Sequence, residues 1–540
     1  MNMEYKNIQK QLLPEKKSRT SVFTGNKPIY GWLFALPWLI GLLVFYVYPL
    51  LSSIVFSFTS FNGINPGHFI GWQNYRDLLA DDTFWVSVKN TFYFAILAVP
   101  VSLVCGVFLA ILLNTKLKGQ SIYRVIVFIP TLVPVVAVSI IWQWLLNSQF
   151  GLVNYLLYKL GLPGPPWFGS EAWAKPSILI IVVWSIGANV LTYLAGLQDI
   201  PQTYYEAAAI DGANTLQKLN YITLPLLSPI ILYNTIMGII TAFQQFTLPF
   251  VITNGQGTPA NSMMFYAMFL YKNAFSYFKM GMANAMAWMM FVVVMALTIL
   301  VFSVTKKWVH YMGESKMWKK HHITEHLLLI TWSLFFILPF YIMVTTSFKT
   351  QAECYIYPIK WLPAQWNLQN YSEIFKVIPF ARYFGNTAFI TGMNVLGLTL
   401  CCPLAAYSLA RLNWKGRDTI FFITLAVMMI PYQVIMVPIF MIFSRMRLVG
   451  SFWPLIIPQY LGVPFYIFLL RQFFKGLPKD LEDAARIDGC SEFGIFYKVF
   501  MPICKPAVLT VMIFQLLASW NDFTGPLIYL QKSDMYTLQL

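Results

Sequence analysis

Charged residues are scarce in this sequence: Asp, Glu, Lys and Arg make up 11% of the 540 residues, whereas apolar residues make up 58%. Such a composition excludes the chain from the ordinary soluble globular proteins. Apolar runs of about 20 residues recur, and each run is long enough to cross a bilayer core as a helix. Because the runs are continuous and do not alternate with polar residues, they predict transmembrane helices and exclude barrel strands.

Several kinds of site are also absent from the sequence. The six cysteines stand singly or adjacent, without a C-x-x-C pair, and predict neither a disulfide framework nor a metal site. There is no G-x-x-x-x-G-K-[ST] loop to hold ATP phosphates. No ionisable residue falls at the centre of a predicted span, although proton- or ion-coupled carriers normally need one there. The five histidines lack acidic partners at catalytic spacing, which disfavours a membrane enzyme.

The apolar runs predict eleven spans. The distribution of Lys and Arg places the N-terminus in the cytoplasm, because most basic residues then fall on the inner side. The formal charge of +16 is therefore a topology signal that favours contact with membrane lipid, and no basic stripe with interleaved aromatics indicates nucleic acid. The predicted spans are residues 32–56, 91–113, 123–145, 177–197, 224–250, 283–305, 327–348, 386–409, 420–443, 453–470 and 502–530.

The chain repeats itself. The segment IPQTYYEAAAIDGANTLQKLNYITLPLLSP from Ile200 recurs 277 residues later as LPKDLEDAARIDGCSEFGIFYKVFMPICKP from Leu477, and the register holds without a gap to Pro526. Earlier in the halves, Asn74-Tyr75 is matched by Asn370-Tyr371, Asn90-Thr91 by Asn386-Thr387, and Ile129-Pro130 by Ile430-Pro431. We read Asn90 and Asn386 as helix caps. Two homologous six-span units in the same orientation explain this pattern.

The predicted organisation follows from the repeat. A cytoplasmic tail (residues 1–29) precedes a first unit (30–305), a cytoplasmic connector or chain junction (306–326) and a second unit (327–540) with five visible spans. Met317 opens MWKKHHITEH, which resembles a fresh translation start with a basic flank. The sequence thus leaves open whether one natural polypeptide or two joined proteins is present, and whether the sixth span of the second unit is lost or cut away.

The repeated segment is too polar to span and too short to fold alone. Tyr204 to Ile210 predicts a short helix, Gly212 fits the left-handed position that ends it, and Asn214 can cap a second short helix before Pro225 opens the next span. The small side chains of the first helix leave a flat face that suits docking into a groove. A connecting interfacial helix is the alternative, but two copies in register favour a shared partner.

These residues resemble the EAA motif of binding-protein-dependent ABC importer permeases, a segment that inserts into a cleft of the ATP-hydrolysing subunit. FIGWQNYRDLL from Phe69, FQQFTLPFVITNGQGTPANS from Phe243 and SWNDFTGPLIYL from Ser519 resemble the carbohydrate branch, of which the MalF/MalG pair is the type. The resemblance covers nearly the whole chain. It implies an all-α polytopic membrane protein with two parallel six-helix units of the type I importer fold, the second unit lacking its last helix.

The resemblance also implies partners and site residues. We call residues 200–224 and 477–501 the first and second coupling loops. Each would contact one of two cytoplasmic ATPase subunits, which bind ATP and Mg²⁺, whereas this chain binds no cofactor. The family's glutamate falls on Glu206, and in the second loop Asp483 aligns with it beside Glu482, so either acid is a candidate. The coupling residues are Glu206, Ala207, Ala208, Asp211, Gly212, Glu482, Asp483, Ala484, Ala485, Asp488 and Gly489.

A substrate path is expected near the outer half of the fifth span of each unit. At 1.5 Å per residue, Gln244 and Gln245 lie roughly 28 Å from Pro225. Amides, a carboxylate and aromatic rings suit a sugar, although amides also join helices within membranes. The candidate residues are Phe243, Gln244, Gln245, Phe246 and their repeat mates Trp520, Asn521, Asp522 and Phe523.

The sequence therefore predicts the multi-pass translocation path of an ATP-driven carbohydrate importer in a bacterial cytoplasmic membrane. The substrate, expected to be an oligosaccharide, would arrive from an extracytoplasmic binding protein. An ABC importer for another solute and an ATP-independent carrier remain the alternatives, because the coupling loop itself does not recognise the substrate.

Overall fold

The computed structural model describes residues 28–65, 67–115, 119–305, 323–356 and 360–540. The predicted tail, apart from its last two residues, and most of the predicted connector, including Met317, lie outside these residues. Within them the chain is helical, with one isolated antiparallel bridge between Thr59 and Phe69. The predicted all-α fold is confirmed.

Helices long and apolar enough to cross a membrane match all eleven predicted spans of the described chain. Seven have no sharp bend, and four are pairs of helices bent by more than 40° at a short break. The spans without a sharp bend are Pro28–Ser57, Asp82–Asn114, Thr215–Thr253, Met280–Thr305, His326–Ser347, Phe380–Arg411 and Trp453–Gly476. The bent pairs are Gln120–Leu132 with Val135–Leu145, Glu171–Trp184 with Gly187–Asp199, Arg417–Val427 with Tyr432–Arg445, and Glu492–Ile503 with Lys505–Trp520.

Shorter helices lie in the connections between the spans or continue them. Thr215–Lys218 does not end before the fifth span as the sequence suggested, because it runs through a π-helical turn, Leu219–Thr223, into helix Leu224–Phe243. The remaining short helices are Gln73–Leu79, Leu152–Lys159, Trp167–Gly169, Gln202–Ile210, Thr247–Thr253, Tyr266–Tyr271, Gln351–Cys354, Gln369–Val377, Asp480–Ile487, Thr524–Tyr529 and Ser533–Met535.

Proline breaks the third span of each repeat at the same place. The two helices of the pair diverge by 101° in the first repeat and by 103° in the second. Pro134 and Pro431 occupy the N-cap positions after these breaks, both with extended ψ angles of 135° and 137°. Proline has no N–H to continue the helix and disfavours helical geometry in the residue before it. Pro431 is thus the structural equivalent of Pro134, and its sequence pairing with Pro130 is wrong.

The described chain forms two compact units, and each draws on both sequence repeats. One contains residues 28–43, 395–429 and 458–514, and includes the second coupling loop. The other contains residues 44–394, 430–457 and 515–540 within the described ranges, and includes the first coupling loop.

The repeated Asn-Tyr pair has the same structural role in both repeats. The Asn74 side chain donates to the carbonyl oxygens of Ser57 and Thr59, both at 2.8 Å. Asn370 donates likewise to Ser347 and Lys349 at 2.9 and 2.8 Å. The chain that leaves each first span is therefore held by an amide that satisfies two otherwise free carbonyl groups.

The Asn-Thr pair also repeats, but the two asparagines are not helix caps. Asn90 lies inside helix Asp82–Asn114 and donates to the carbonyl oxygens of Asn261 and Met264 at 2.8 and 3.1 Å. Its mate, Asn386, donates to Asp534 and Tyr536, both at 3.0 Å.

The neighbouring threonines complete the pattern. The Thr91 hydroxyl accepts from Tyr266 N at 2.9 Å, and the Thr387 hydroxyl accepts from Leu538 N at the same distance. The cap interpretation failed because an amide at this depth has carbonyl partners more than a hundred residues away along the chain.

We expect Asn90→Ala to destabilise the protein by about 2 kcal/mol, because two carbonyl groups lose their donor and that of Met264 is buried. The measurement is the thermal unfolding midpoint of the purified protein in detergent. Asn65→Ala, at an exposed position, is the control and should change stability by less than about 0.5 kcal/mol. Equal midpoints for the two variants would contradict this role of Asn90.

Candidate functional site

The first coupling loop is built from local hydrogen bonds. Helix Gln202–Ile210 ends where Gly212 takes a φ of +77°, and Ala213 N donates to the Ala208 carbonyl at 2.8 Å. An added Cβ at Gly212 would meet no atom within 4 Å, so glycine is required here by the backbone angle and not by space. The predicted left-handed cap is observed.

Asn214 starts the next helical segment through a capping box. Its side chain accepts from Gln217 N at 2.9 Å, and the Gln217 side chain accepts from Asn214 N at 2.7 Å. Both groups satisfy backbone donors that a helix start leaves free. The loop therefore has a helix, a turn and a second helical segment, as the sequence predicted.

The second coupling loop has the same construction. Helix Asp480–Ile487 ends at Gly489, whose φ is +78°, and Cys490 N donates to the Ala485 carbonyl at 2.9 Å. Ser491 caps the following helix by accepting from Gly494 N at 3.2 Å. A π-helical turn, Phe496–Phe500, follows at the position that matches Leu219–Thr223 in the first repeat.

Both loops expose apolar side chains at matching positions. Ile210 is 87% exposed and Ile487 is 75% exposed. Six residues further on, Leu216 and Phe493 are 65% and 59% exposed. Helix Gln202–Ile210 contains no buried residue at all. Each loop thus presents an apolar pair that nothing else in the described chain covers.

The acidic candidates fall into two environments. Asp211 and Asp488 are exposed, Glu206 is half-buried, and the Asp483 side chain is 66% exposed. Ala207 and Ala484 lie open to solvent, Ala208 is intermediate and Ala485 is buried.

Glu482 differs from the other acids, since its side chain is only 7% exposed. It lies 3.1 Å from Arg411 and 3.4 Å from Arg486. Burial raises the pKa of its carboxyl group, and the two guanidinium groups oppose that rise. Of the two acids that are candidates for the motif's glutamate, Asp483 is therefore the one that a second protein can reach.

A cavity of about 590 Å³ lies among the second, third, fourth and fifth spans of the first repeat. Its polar lining consists of hydroxyl and amide groups, and the rest is aliphatic or aromatic. Such a lining suits an uncharged polar molecule. The polar residues are Ser102, Thr131, Ser185, Asn189, Tyr193, Asn234, Thr241, Gln244, Gln245 and Thr247.

The fifth span of each repeat is interrupted beside the predicted substrate residues. The helix ends at Phe243, and the next begins at Thr247. In the second repeat the helix ends at Trp520, and the next begins at Thr524. Backbone that is not helical at membrane depth is tolerated where it is buried in protein or lines a cavity. Discontinuous helices of this kind form binding sites in other transporters.

Gln244 also lines a second cavity of about 210 Å³. The first repeat contributes Phe246, Thr247, Ala267 and Tyr271 to its wall, and the second contributes Tyr432, Gln433, Met436 and Thr524. Within the described residues, the buried Oε1 atom of Gln433 has no hydrogen-bond partner. A ligand hydroxyl could donate to this oxygen.

The predicted substrate residues are thus divided. Gln244, Gln245 and Phe246 line these cavities. Phe243 lines a separate apolar pocket of about 270 Å³ and packs on Phe92 at 5.0 Å between ring centroids.

The residues of the second repeat have structural contacts. Asp522 accepts at 3.0 Å from Gly525 N in the first turn of helix Thr524–Tyr529. Trp520 packs on Phe384 and Phe523 on Phe250, at 5.5 and 5.8 Å between ring centroids. The buried Oδ1 atom of Asn521 has no partner within the described chain.

Sequence reasoning missed the cavity residues on the third and fourth spans. Thr131 lies beside the proline break of the third span, and Ser185 and Asn189 lie beside the break of the fourth. Single polar residues within apolar runs carry no strong signal. The breaks themselves, marked by proline and glycine, are the feature that could have located them.

Comparison with known proteins assigns the chain to a family. The sequence model of this family, described as "Binding-protein-dependent transport system inner membrane component", matches residues 102–310 and 402–540. The probable ABC transporter permease protein YesP of Bacillus subtilis is 38% identical over 304 residues, which cover 56% of this chain and 96% of YesP.

Two further relatives have names that state a substrate. The lactose transport system permease protein LacF of Rhizobium radiobacter is 34% identical over 278 residues, or 51% of this chain and 92% of LacF. The arabinooligosaccharides transport system permease protein AraP of Bacillus subtilis is 34% identical over 284 residues, or 51% of this chain and 88% of AraP. With its apolar helices and two family matches, this chain is a multi-pass membrane protein that belongs to the family of inner-membrane components of binding-protein-dependent transport systems.

Proposed function

We propose that this chain forms the translocation path of an ATP-driven importer for carbohydrates, with oligosaccharides as the substrate class. Two copies of a separate ATPase subunit, which bind ATP and Mg²⁺, dock on the two coupling loops. A solute-binding protein delivers the sugar on the other side of the membrane. The N-terminus and both coupling loops lie on the cytoplasmic side of a bacterial membrane in this proposal.

The observation that carries the proposal is the matched geometry of the coupling loops. Both have a glycine-terminated helix, a capped second segment, an exposed apolar pair and exposed acids at repeat-equivalent positions. Exposed apolar side chains rimmed by polar groups are typical of protein interfaces. Two equivalent docking sites fit two copies of one partner subunit. The chain itself has no P-loop, so the hydrolysis of ATP is assigned to that partner.

Three features support a carbohydrate as the substrate. The larger cavity offers amide and hydroxyl groups beside the rings of Phe94 and Phe246, which can contact sugar hydroxyls and the flat faces of sugar rings. Two relatives are named for the transport of lactose and of arabinooligosaccharides. The loop and span motifs resemble the carbohydrate branch of the family.

In the proposed cycle, closure of the ATPase dimer displaces the coupling loops, and the spans joined to them reorient. Each loop leads into its fifth span through a π-helical turn, and each fifth span is interrupted beside the predicted path. The interruptions allow the two parts of a span to move separately. Alternating access of the cavities to the two sides of the membrane follows from such movement.

We expect Gly212→Ala and Gly489→Ala to weaken capture of the ATPase subunit about 5- to 30-fold, since a Cβ at positive φ costs about 1–2 kcal/mol. The measurement is binding of the subunit to the purified chain, together with ATP hydrolysis by the mixture.

Gly392→Ala is the matched control. Gly392 lies inside helix Phe380–Arg411 with open space around its Cα, so alanine there should be neutral or stabilising. If the loop variants bind and stimulate the subunit like wild type, the loops are connectors and an ATP-independent carrier becomes the better hypothesis.

We expect Gln244→Ala and Gln245→Ala to raise the KM for sugar uptake about tenfold each, which corresponds to the loss of one hydrogen bond of about 1.4 kcal/mol. Uptake of labelled lactose, trehalose and arabinan oligosaccharides into proteoliposomes would be measured with saturating binding protein.

Gln149→Ala, in an exposed segment, is the control and should leave uptake unchanged. An unaltered KM in both cavity variants would remove these amides from the path. Transport of amino acids but of no sugar by the wild-type protein would indicate the alternative importer class.

A further inference from the structure

One guanidinium group contacts the coupling helix of the second repeat, the end of the span before it and the π-helical turn after it. Arg411, the last residue of helix Phe380–Arg411, is 5% exposed at its side chain and lies 3.1 Å from Glu482 in the coupling helix Asp480–Ile487. Its Nε donates at 2.9 Å to the carbonyl of Phe474 in helix Pro464–Gly476, and its Nη2 donates to the Leu477 carbonyl. The same group lies 5.1 Å from the ring centroid of Phe500 in the π-helical turn.

A second arginine makes the reciprocal contact. Arg471, in helix Pro464–Gly476, donates from Nε at 3.0 Å to the carbonyl of Leu409 near the end of helix Phe380–Arg411. Its guanidinium lies 3.6 Å from the ring centroid of Phe421. Each helix therefore supplies a cation to a carbonyl group in the last turn of the other, where positive charge is favoured. The two helix ends are held together independently of the coupling loop.

Further charges continue from Glu482 into the loop. Arg486 lies 3.4 Å from Glu482 and 3.1 Å from Glu492. The Tyr407 hydroxyl, on helix Phe380–Arg411, donates to Glu492 at 3.3 Å. Arg411, Glu482, Arg486, Glu492 and Tyr407 thus form one connected polar network that begins and ends on the same span.

The first coupling loop is attached differently. The repeat mate of Glu482 is Tyr205, whose hydroxyl is 2.9 Å from the Thr223 hydroxyl. At the end of the second span of the first repeat, the uncharged residues Asn114 and Thr115 lie where the second repeat has Arg411. The mate of Arg486 is Ala209. A neutral hydrogen bond therefore replaces the ionic network.

A buried network of charged groups is costly to disrupt. The attraction between two charges is stronger when both are buried than in water, and loss of one partner leaves the other charge without compensation. A neutral hydrogen bond of the kind made by Tyr205 contributes much less. The second coupling helix is consequently fixed to the ends of the spans more firmly than the hydrogen bond between Tyr205 and Thr223 alone could fix the first coupling helix.

We propose that Arg411 and Glu482 are positioning residues, which hold the second coupling helix to the ends of two transmembrane helices so that movement of the loop is transmitted to them. This inference rests on the proposed function of the loops as docking sites for ATPase subunits. It assigns Glu482 to the interior of the permease and leaves Asp483, of these two acids, to face the partner. The first coupling loop has the uncharged residues Tyr205 and Ala209 in place of Glu482 and Arg486.

The anchor can be tested on the purified chain alone by amide hydrogen exchange. Glu482→Gln keeps the shape of the side chain and removes its charge. We expect the amides of residues 480–495 to exchange about tenfold faster in this variant. Tyr205→Phe is the matched first-loop control, and its effect on residues 202–218 should be less than about threefold. Unchanged exchange in Glu482→Gln would overturn the anchor.

The test of the coupling role uses the ATPase subunit that the wild-type chain captures, and MgATP is the only ligand added. We expect Glu482→Gln to lower kcat for permease-dependent ATP hydrolysis about fivefold, while the KM for ATP and capture of the subunit stay within about twofold. Asp483→Asn should instead weaken capture. If Glu482→Gln weakens capture as Asp483→Asn does, Glu482 contacts the partner and the inference is wrong.

A double-mutant cycle with Arg411→Met addresses the pair itself. If the two side chains act together, the double variant should be no more than about twofold worse than the poorer single variant, whereas independent effects would multiply. If Arg411→Met does not assemble in the membrane, the isosteric Glu482→Gln alone decides. Failure of the wild-type chain to capture any ATPase subunit would overturn the proposed function, whereas the exchange measurement would still report on the anchor.

Discussion

Inside a bilayer, every peptide N–H or C=O group that a helix leaves unpaired needs a partner within the protein. This chain ends or interrupts its helices many times, and polar side chains supply partners at those points. Asn74 donates to two carbonyl groups where the first span ends, and Asn90 donates to two in a loop far along the chain. Arg411 and Arg471 donate to carbonyl groups where two other spans end. The arrangement of breaks, turns and cavities depends on these donors.

The two repeats share the backbone conformations and contacts that end helices and support loops. They differ in the charged residues that attach the coupling helix. Gly212 and Gly489 adopt nearly the same φ, and the asparagine contacts recur at almost the same distances. Covalent geometry allows few ways to end a short helix or to support a loop, so both repeats keep the same residues there. The attachment of the coupling helix is not limited in this way. Ionic contacts serve in one repeat and a hydroxyl pair in the other.

The sequence predicts the features that depend on local chemistry. Apolar runs locate every helix and bent helix pair of the described chain that is long and apolar enough to cross a membrane, since the cost of burying polar groups acts on every residue of a span. Glycine at a helix end predicts a left-handed residue because other residues are strained there. Partners across the fold are not encoded locally: Asn90 is recognisable as polar, but the loop that it holds lies 171 residues away. The sequence also could not pair Pro134 with Pro431, because only the bend in each third span shows which prolines correspond.

The same reasoning explains why the candidate path was only partly predictable. Gln244 and Gln245 are visible in the sequence because two adjacent amides interrupt an apolar run. Asp522, their counterpart in the second repeat, is equally conspicuous, but its carboxylate accepts from the backbone N–H of Gly525. Residue type alone does not distinguish a carboxylate that accepts from the first turn of a helix from one that would bind a ligand. A break in a span has two consequences. The unpaired backbone groups at the break require hydrogen-bond partners, and the polar surface there can bind a solute. The breaks therefore mark the candidate path, and the hydrogen bonds at each break show which polar groups remain free to bind.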